Sequence, residues 1–117
     1  MYEAVTTPPA VSDSVLHILL ALADQPRHGY AIVQEIETRT RGAVHLGTGT
    51  LYTALKRLRA DGLIKEVTPE GNPTTGRSRR TYGLTARGRA VLDEQTNRLR
   101  ALVDHAISKK ALRLRTP

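Results

Sequence analysis

Leu51, Leu55 and Leu58 fall within about 60° of one another when the segment from Thr50 to Ala60 is wound as an α-helix. That arrangement constrains the chain more than any other. It demands a helix docked by one face on an apolar body. On the opposite face stand Thr53, Lys56, Arg57 and Ala60, with Tyr52 on the flank. Asp61-Gly62 closes the helix, with Gly62 just past the C-cap, where glycine is the usual residue. Gly47-Thr48-Gly49-Thr50 reads as a turn that carries capping residues for its start.

The body for that helix comes from upstream. Residues 1–11, with Thr6-Thr7-Pro8-Pro9, read as a flexible or extended arm. Ser12 or Asp13 can cap a first helix, in which Val15, Ile18, Leu19 and Leu22 recur at helical spacing. Leu16 and Leu20 widen that stripe, and the helix stops near Gln25-Pro26. A second helix is expected from about Arg27-His28-Gly29-Tyr30 to Arg39–Gly42, with Ile32, Val33 and Ile36 on its apolar face. Val44-His45-Leu46 forms a short link with the character of a small edge strand.

Downstream, Leu63–Val67 has strand character, Thr68–Gly76 is a loop, and Ser78–Leu84 is a second strand. Arg80, Tyr82 and Leu84 share one of its faces. Together these residues read as a β-hairpin with a long tip. Thr85 caps a last helix that reaches about Leu112, about 40 Å long at the usual rise. Leu92, Leu99, Leu102, Val103, Ala106 and Ile107 make one stripe along it. The helix is longer than the body it leaves, so part of the stripe lacks an intrachain partner and should be an interface. The fold class expected is mainly α with a small β-hairpin: a winged helix-turn-helix followed by a long C-terminal dimerisation helix. The regions are an arm (1–11), a winged helix (12–84), and a dimerisation helix with a basic tail (85–117).

Charge agrees with this arrangement. Lys and Arg number 18 against 11 Asp and Glu in 117 residues. The sequence pI of about 10.4 is in the range typical of nucleic-acid-binding domains. Position matters more than the total. Thr48, Thr50, Thr53, Lys56 and Arg57 can reach base edges or phosphates from a helix in the major groove. Arg77, Arg79 and Arg80 flank the Gly/Pro/Thr-rich hairpin tip, where a wing can lie along the backbone or enter a minor groove.

His28-Gly29-Tyr30 opens the second helix, and Gly49-Thr50-Leu51-Tyr52-Thr53-Ala54-Leu55-Lys56-Arg57-Leu58 with Gly62-Leu63-Ile64 spans the third. Gly76-Arg77-Ser78-Arg79-Arg80-Thr81-Tyr82-Gly83-Leu84-Thr85-Ala86-Arg87-Gly88 covers the second wing strand and the start of the last helix. These motifs, with their spacing, resemble those of the PadR family of bacterial transcription regulators from about Ser14 onward. The short C-terminal region is similar to that of the smaller members, which dimerise through one long helix. The resemblance implies binding to double-stranded DNA at an operator, usually with repression, and release by an unidentified small molecule or a stress signal. It places Tyr30, Thr50, Tyr52, Lys56 and Arg57 toward DNA and Arg77, Arg79 and Arg80 in the wing. His28 either faces DNA or caps and packs the helix start. Some small members hold flat aromatic ligands between tryptophans at the dimer centre, but this chain has no Trp and no aromatic in its last helix. An effector would need an aliphatic pocket lined by residues such as Leu99, Leu102 and Val103.

Other chemistries find no support. Without Cys there is no disulfide, thiolate nucleophile or cysteine metal site. His17, His28, His45 and His105 share no metal-ligand spacing, and His17 reads as a core or interface side chain. Gly47-Thr48-Gly49 lacks the third glycine of a dinucleotide loop. No nucleophile, base and orienter can be nominated, so no enzyme, cofactor or metal is expected. The apolar run from Ser14 to Ala23 is too short to span a bilayer, and a cytoplasmic protein is expected. Arg87 and Arg89 sit in the first turn of the last helix, where the helix dipole disfavours cations. Either that turn lies near phosphates, or exposure makes the penalty negligible. Homodimeric repression at a pseudo-palindromic operator leads. A sequence-indifferent chromosome-binding protein and a winged protein-interaction module are the alternatives.

Overall fold

The computed structural model describes residues 11–67 and 80–110. The elements run α1 (Asp13–Ala21), β1 (Arg27–His28), α2 (Gly29–Thr40), α3 (Thr48–Ala60), β2 (Ile64–Val67), β3 (Thr81–Leu84) and α4 (Ala86–Ser108). The order is that of a winged helix with a long final helix.

The core is aliphatic. Ile18, Leu19 and Leu22 at the end of α1 meet Ile32 and Ile36 of α2 and Leu51, Leu55 and Leu58 of α3. Leu46, Leu63, Ile64, Tyr82 and Leu92 close it. The expected leucine face of α3 is therefore buried, and the polar face is left outward. Polar links hold the first two helices together: Arg39 donates to the backbone carbonyl of His17 at 3.3 Å, with its guanidinium 3.0 Å from His17 Nδ1, and pairs with Glu35 at 2.9 Å. His17 thus lies at a helix–helix contact.

Local starts and stops mostly follow the expected chemistry. Ser12 Oγ accepts from Val15 N and caps α1. Thr85 Oγ1 accepts from Gly88 N at 2.9 Å and caps α4. Gly62 (φ +77°) follows the C-cap Asp61 of α3.

Several boundaries differ from expectation. α1 ends at Ala21, with Leu22 as its C-cap, rather than near Gln25-Pro26. The second helix begins at Gly29, because Arg27 and His28 are extended and pair with β3, Arg27 opposite Tyr82 and His28 opposite Thr81. His28 (φ −79°, ψ 164°) is the cap rather than a helical residue, its Nδ1 accepting from Ala31 N at 3.3 Å. Val44–Leu46 form no strand. The sheet order is β1-β3-β2, and residues 44–46 pair with none of these strands. Leu46 instead turns into the core. The third helix starts two residues before Thr50, at Thr48, and its N-cap Gly47 offers no side-chain hydrogen bond.

β2 and β3 pair antiparallel from Ile64–Leu84 to Val67–Thr81. The expected loop and the start of the second strand, residues 68–79 with Arg77 and Arg79, lie outside the described residues. Helix α4 spans 23 residues, about 35 Å. It ends short of the expected Leu112: Lys109 is its C-cap and Lys110 takes a left-handed conformation (φ +60°) that no α-helix continues through. Residues 111–117 of the basic tail lie outside the described residues, as does the N-terminal arm up to residue 10. Leu92 corrects the expected interface stripe: it is buried in the chain's own core, because α4 packs on α1 there. Beyond it Leu99, Leu102 and Val103 are exposed at 47%, 64% and 43%, and Ala106 and Ile107 are half-buried. No helix among the described residues is long and apolar enough to cross a membrane.

Candidate nucleic-acid interface

Helix α3 carries the site because its two faces have different work. Leu51, Leu55 and Leu58 are at most 3% exposed. Thr48, Gly49, Thr50, Tyr52, Thr53, Lys56, Arg57 and Arg59 are all exposed. Among the described residues, Lys56 and Arg57 enter no ion pair. At the amino end of α3 the first-turn amides have no side-chain cap. Such amides, with the helix dipole behind them, suit an anion.

Two exposed tyrosines stand near the starts of α2 and α3. Tyr30 in the first turn of α2 is 65% exposed, and Tyr52 is 50% exposed. The ring of Tyr52 lies across the start of α2: a Cβ at Gly29 would stand 2.8 Å from the Tyr52 hydroxyl oxygen. The missing side chain at Gly29 is what admits the ring. His28 sits beside this contact as the α2 cap, which satisfies the packing role given as one alternative for it.

At the carboxyl end of α3 is a cluster that the sequence reading missed. Glu66 of β2 receives two arginines on one oxygen: Arg59 Nη1 at 3.5 Å and Arg80 Nε at 3.3 Å. It joins the last turn of the helix to the root of the wing. The strand register brings it about, since Glu66 pairs with Tyr82 and so shares a face with Arg80, two residues away. Arg80 is the one wing arginine among the described residues.

Arg87 and Arg89 are exposed at the start of α4. Arg89 donates to the backbone oxygen of Ala23 at 2.6 Å, and Arg27 donates to that of Ala21 at 2.8 Å. Two guanidiniums thereby serve carbonyls at the end of α1, where the helix dipole favours cations. This contact gives Arg89 a role within the fold.

The described residues hold no group of His, Asp and Glu able to bind a metal. Glu37 is paired with His45, and Glu35 with Arg39. What the exposed face of α3 offers is hydroxyls, a phenol and cations on a rigid helix, suited to a groove that admits one helix.

Comparison with known proteins gives the same answer. The model of the Transcriptional regulator PadR-like family matches residues 18–94. The transcriptional regulator Rv3488 of Mycobacterium tuberculosis is 41% identical over 87 residues, covering 74% of this chain and 76% of its own length. A PadR-like transcription factor from Bacteroides fragilis superposes with a TM-score of 0.67 at 28% identity, over 81% of this chain and 87% of that one. Bacillus subtilis PadR in complex with operator DNA shares the fold with a TM-score of 0.62 at 23% identity, over 71% of this chain and 46% of that one. The family is one of transcriptional regulators and not of enzymes, and with leucine-backed α3, the wing and the motifs in register, this chain belongs to the PadR-like family of transcriptional regulators.

Proposed function

We propose that this regulator is a cytoplasmic homodimeric repressor that reads a pseudo-palindromic operator through α3 and is released by a small molecule or a stress signal. The observation that carries the reading is the split of α3 into a leucine face held in the core and an exposed face of Thr48, Thr50, Thr53, Lys56 and Arg57. In this reading those residues, with Tyr52 and Tyr30, enter or border the major groove. Arg77, Arg79 and Arg80 carry the wing to the adjacent backbone. The operator-bound complex of Bacillus subtilis PadR, a protein of the same fold, supports the docking of such a scaffold on DNA.

A second copy completes the reading. Leu99, Leu102 and Val103 stand exposed beyond the point where α4 leaves the core, and Leu20 on α1 is 39% exposed. We assign this surface, with Ala106 and Ile107, to the dimer interface. Two α3 helices related by a two-fold axis would then meet half-sites about one helical turn apart, or a small multiple of it.

Selection from a random duplex pool, followed by sequencing, tests the proposal. An enriched motif with two inverted half-sites is the expected result. Tight binding without enrichment would instead indicate a sequence-indifferent chromosome-binding protein. A dimer that binds no duplex at low salt would indicate a protein-interaction module.

A further inference from the structure

We propose that Glu66 is a specificity-determining positioning residue, which holds Arg59 of the reading helix and Arg80 of the wing root in a fixed relation and withholds them from indiscriminate phosphate contact. The inference rests on the DNA-binding reading above.

A carboxylate is out of place on a surface meant for phosphates, because it repels them. Yet Glu66 stands 41% exposed in side chain, between the helix and the wing. Its partners are no more buried: the Arg59 side chain is 43% exposed and that of Arg80 is 66% exposed. Ion pairs so open to water contribute little to stability. The fold is held elsewhere, by Leu63, Ile64 and Tyr82 in the core. Stability therefore does not account for the cluster, and its geometry does.

Both guanidiniums approach the same carboxylate oxygen, one through Nη1 and the other through Nε. An arginine has five N–H donors, so each keeps several for phosphate oxygens while it stays paired. One carboxylate between two guanidiniums leaves the trio a single net positive charge. Two loose arginines would instead carry two charges and reach any phosphate within range. Non-specific binding is driven by such contacts. Phosphate contacts also set register, and they do so best when the donors are already in place. Glu66 thus lowers the background on any sequence and keeps the placement that the correct site uses.

Glu66→Gln keeps the size of the side chain and removes its charge. Glu94→Gln on exposed α4 makes the same charge change away from the cluster. Affinities are read by fluorescence anisotropy against a mixed-sequence 24-base-pair duplex and against the duplex enriched in the selection, over a KCl series. Glu66→Gln should tighten binding to the mixed-sequence duplex by about three-fold or more and steepen its salt dependence by about one charge. Binding to the enriched duplex should gain less, so the ratio between the two falls. Glu66→Asp, which keeps the charge, should hold the low wild-type background. Equal changes for Glu66→Gln and Glu94→Gln, or an equal gain on both duplexes, would overturn the role of Glu66 while leaving the DNA-binding reading intact. Wild-type protein that bound neither duplex would remove both.

Discussion

A Cβ placed on Gly88 would lie 1.9 Å from the carbonyl oxygen of Leu63. The first turn of α4 is thus pressed against the backbone that leads into β2. Thr85 tightens the same joint, with its amide donating to Leu63 O at 3.1 Å and its hydroxyl to Gly62 O at 2.6 Å. The clash is with backbone on both sides, so no side chain can swing away to relieve it. Gly88→Ala should cost about 3 kcal/mol or more, the upper end of overpacking losses. Gly49→Ala, where an added Cβ meets nothing within 4 Å, should be neutral or slightly stabilising. Urea unfolding of the two variants checks the contrast, and similar midpoints would show that this joint is not tight.

The exposed cations of α3 make the second prediction. Lys56→Ala and Arg57→Ala should each weaken binding to the selected duplex and reduce the salt slope by about one for each lost phosphate contact. If either residue reads a base, its variant should lose about 1–3 kcal/mol of discrimination at one position. Glu37→Ala, on α2 and paired with His45, should change neither quantity. Losses of the same size in all three variants would count against α3 as the reading helix.

Sequence periodicity revealed α3 because three leucines on a single helix need no knowledge of the rest of the chain. The cap at Thr85 and the stop at Gly62 were legible for the same reason: each is a local hydrogen-bonding or backbone matter. β1 was not. Two residues, Arg27 and His28, carry no strand pattern, and their conformation is set by a pairing partner more than fifty positions later. Leu92 was misplaced because periodicity groups residues by face and does not say where along α4 the body ends. The Glu66 cluster escaped because it depends on the register between β2 and β3, which alternation alone leaves open.

The exposed part of the α4 stripe predicts a mutational split. Leu92→Ala removes a side chain that is 4% exposed and should destabilise the fold by about 2–5 kcal/mol. Leu102→Glu alters a residue 64% exposed in the single chain. It should leave the secondary structure intact, shift sedimentation from dimer to monomer, and weaken operator binding through loss of the second half-site. A Leu102→Glu protein that sediments with the wild type would place the dimer contact elsewhere.

The two arginines at the start of α4 separate by their partners. Arg89 reaches Ala23 O at 2.6 Å, so its charge is directed at the end of α1. The residue is exposed, and the hydrogen bond should be worth about 1 kcal/mol or less. Arg89→Ala should therefore lower stability by that amount and leave the salt slope of DNA binding unchanged. Arg87 is exposed and has no hydrogen bond or ion pair among the described residues. If the first turn of α4 lies near phosphates, Arg87→Ala should lower the salt slope by about one without changing the unfolding midpoint. An Arg87→Ala protein with wild-type affinity and slope would show that its position near the positive end of the helix dipole is simply tolerated in solvent.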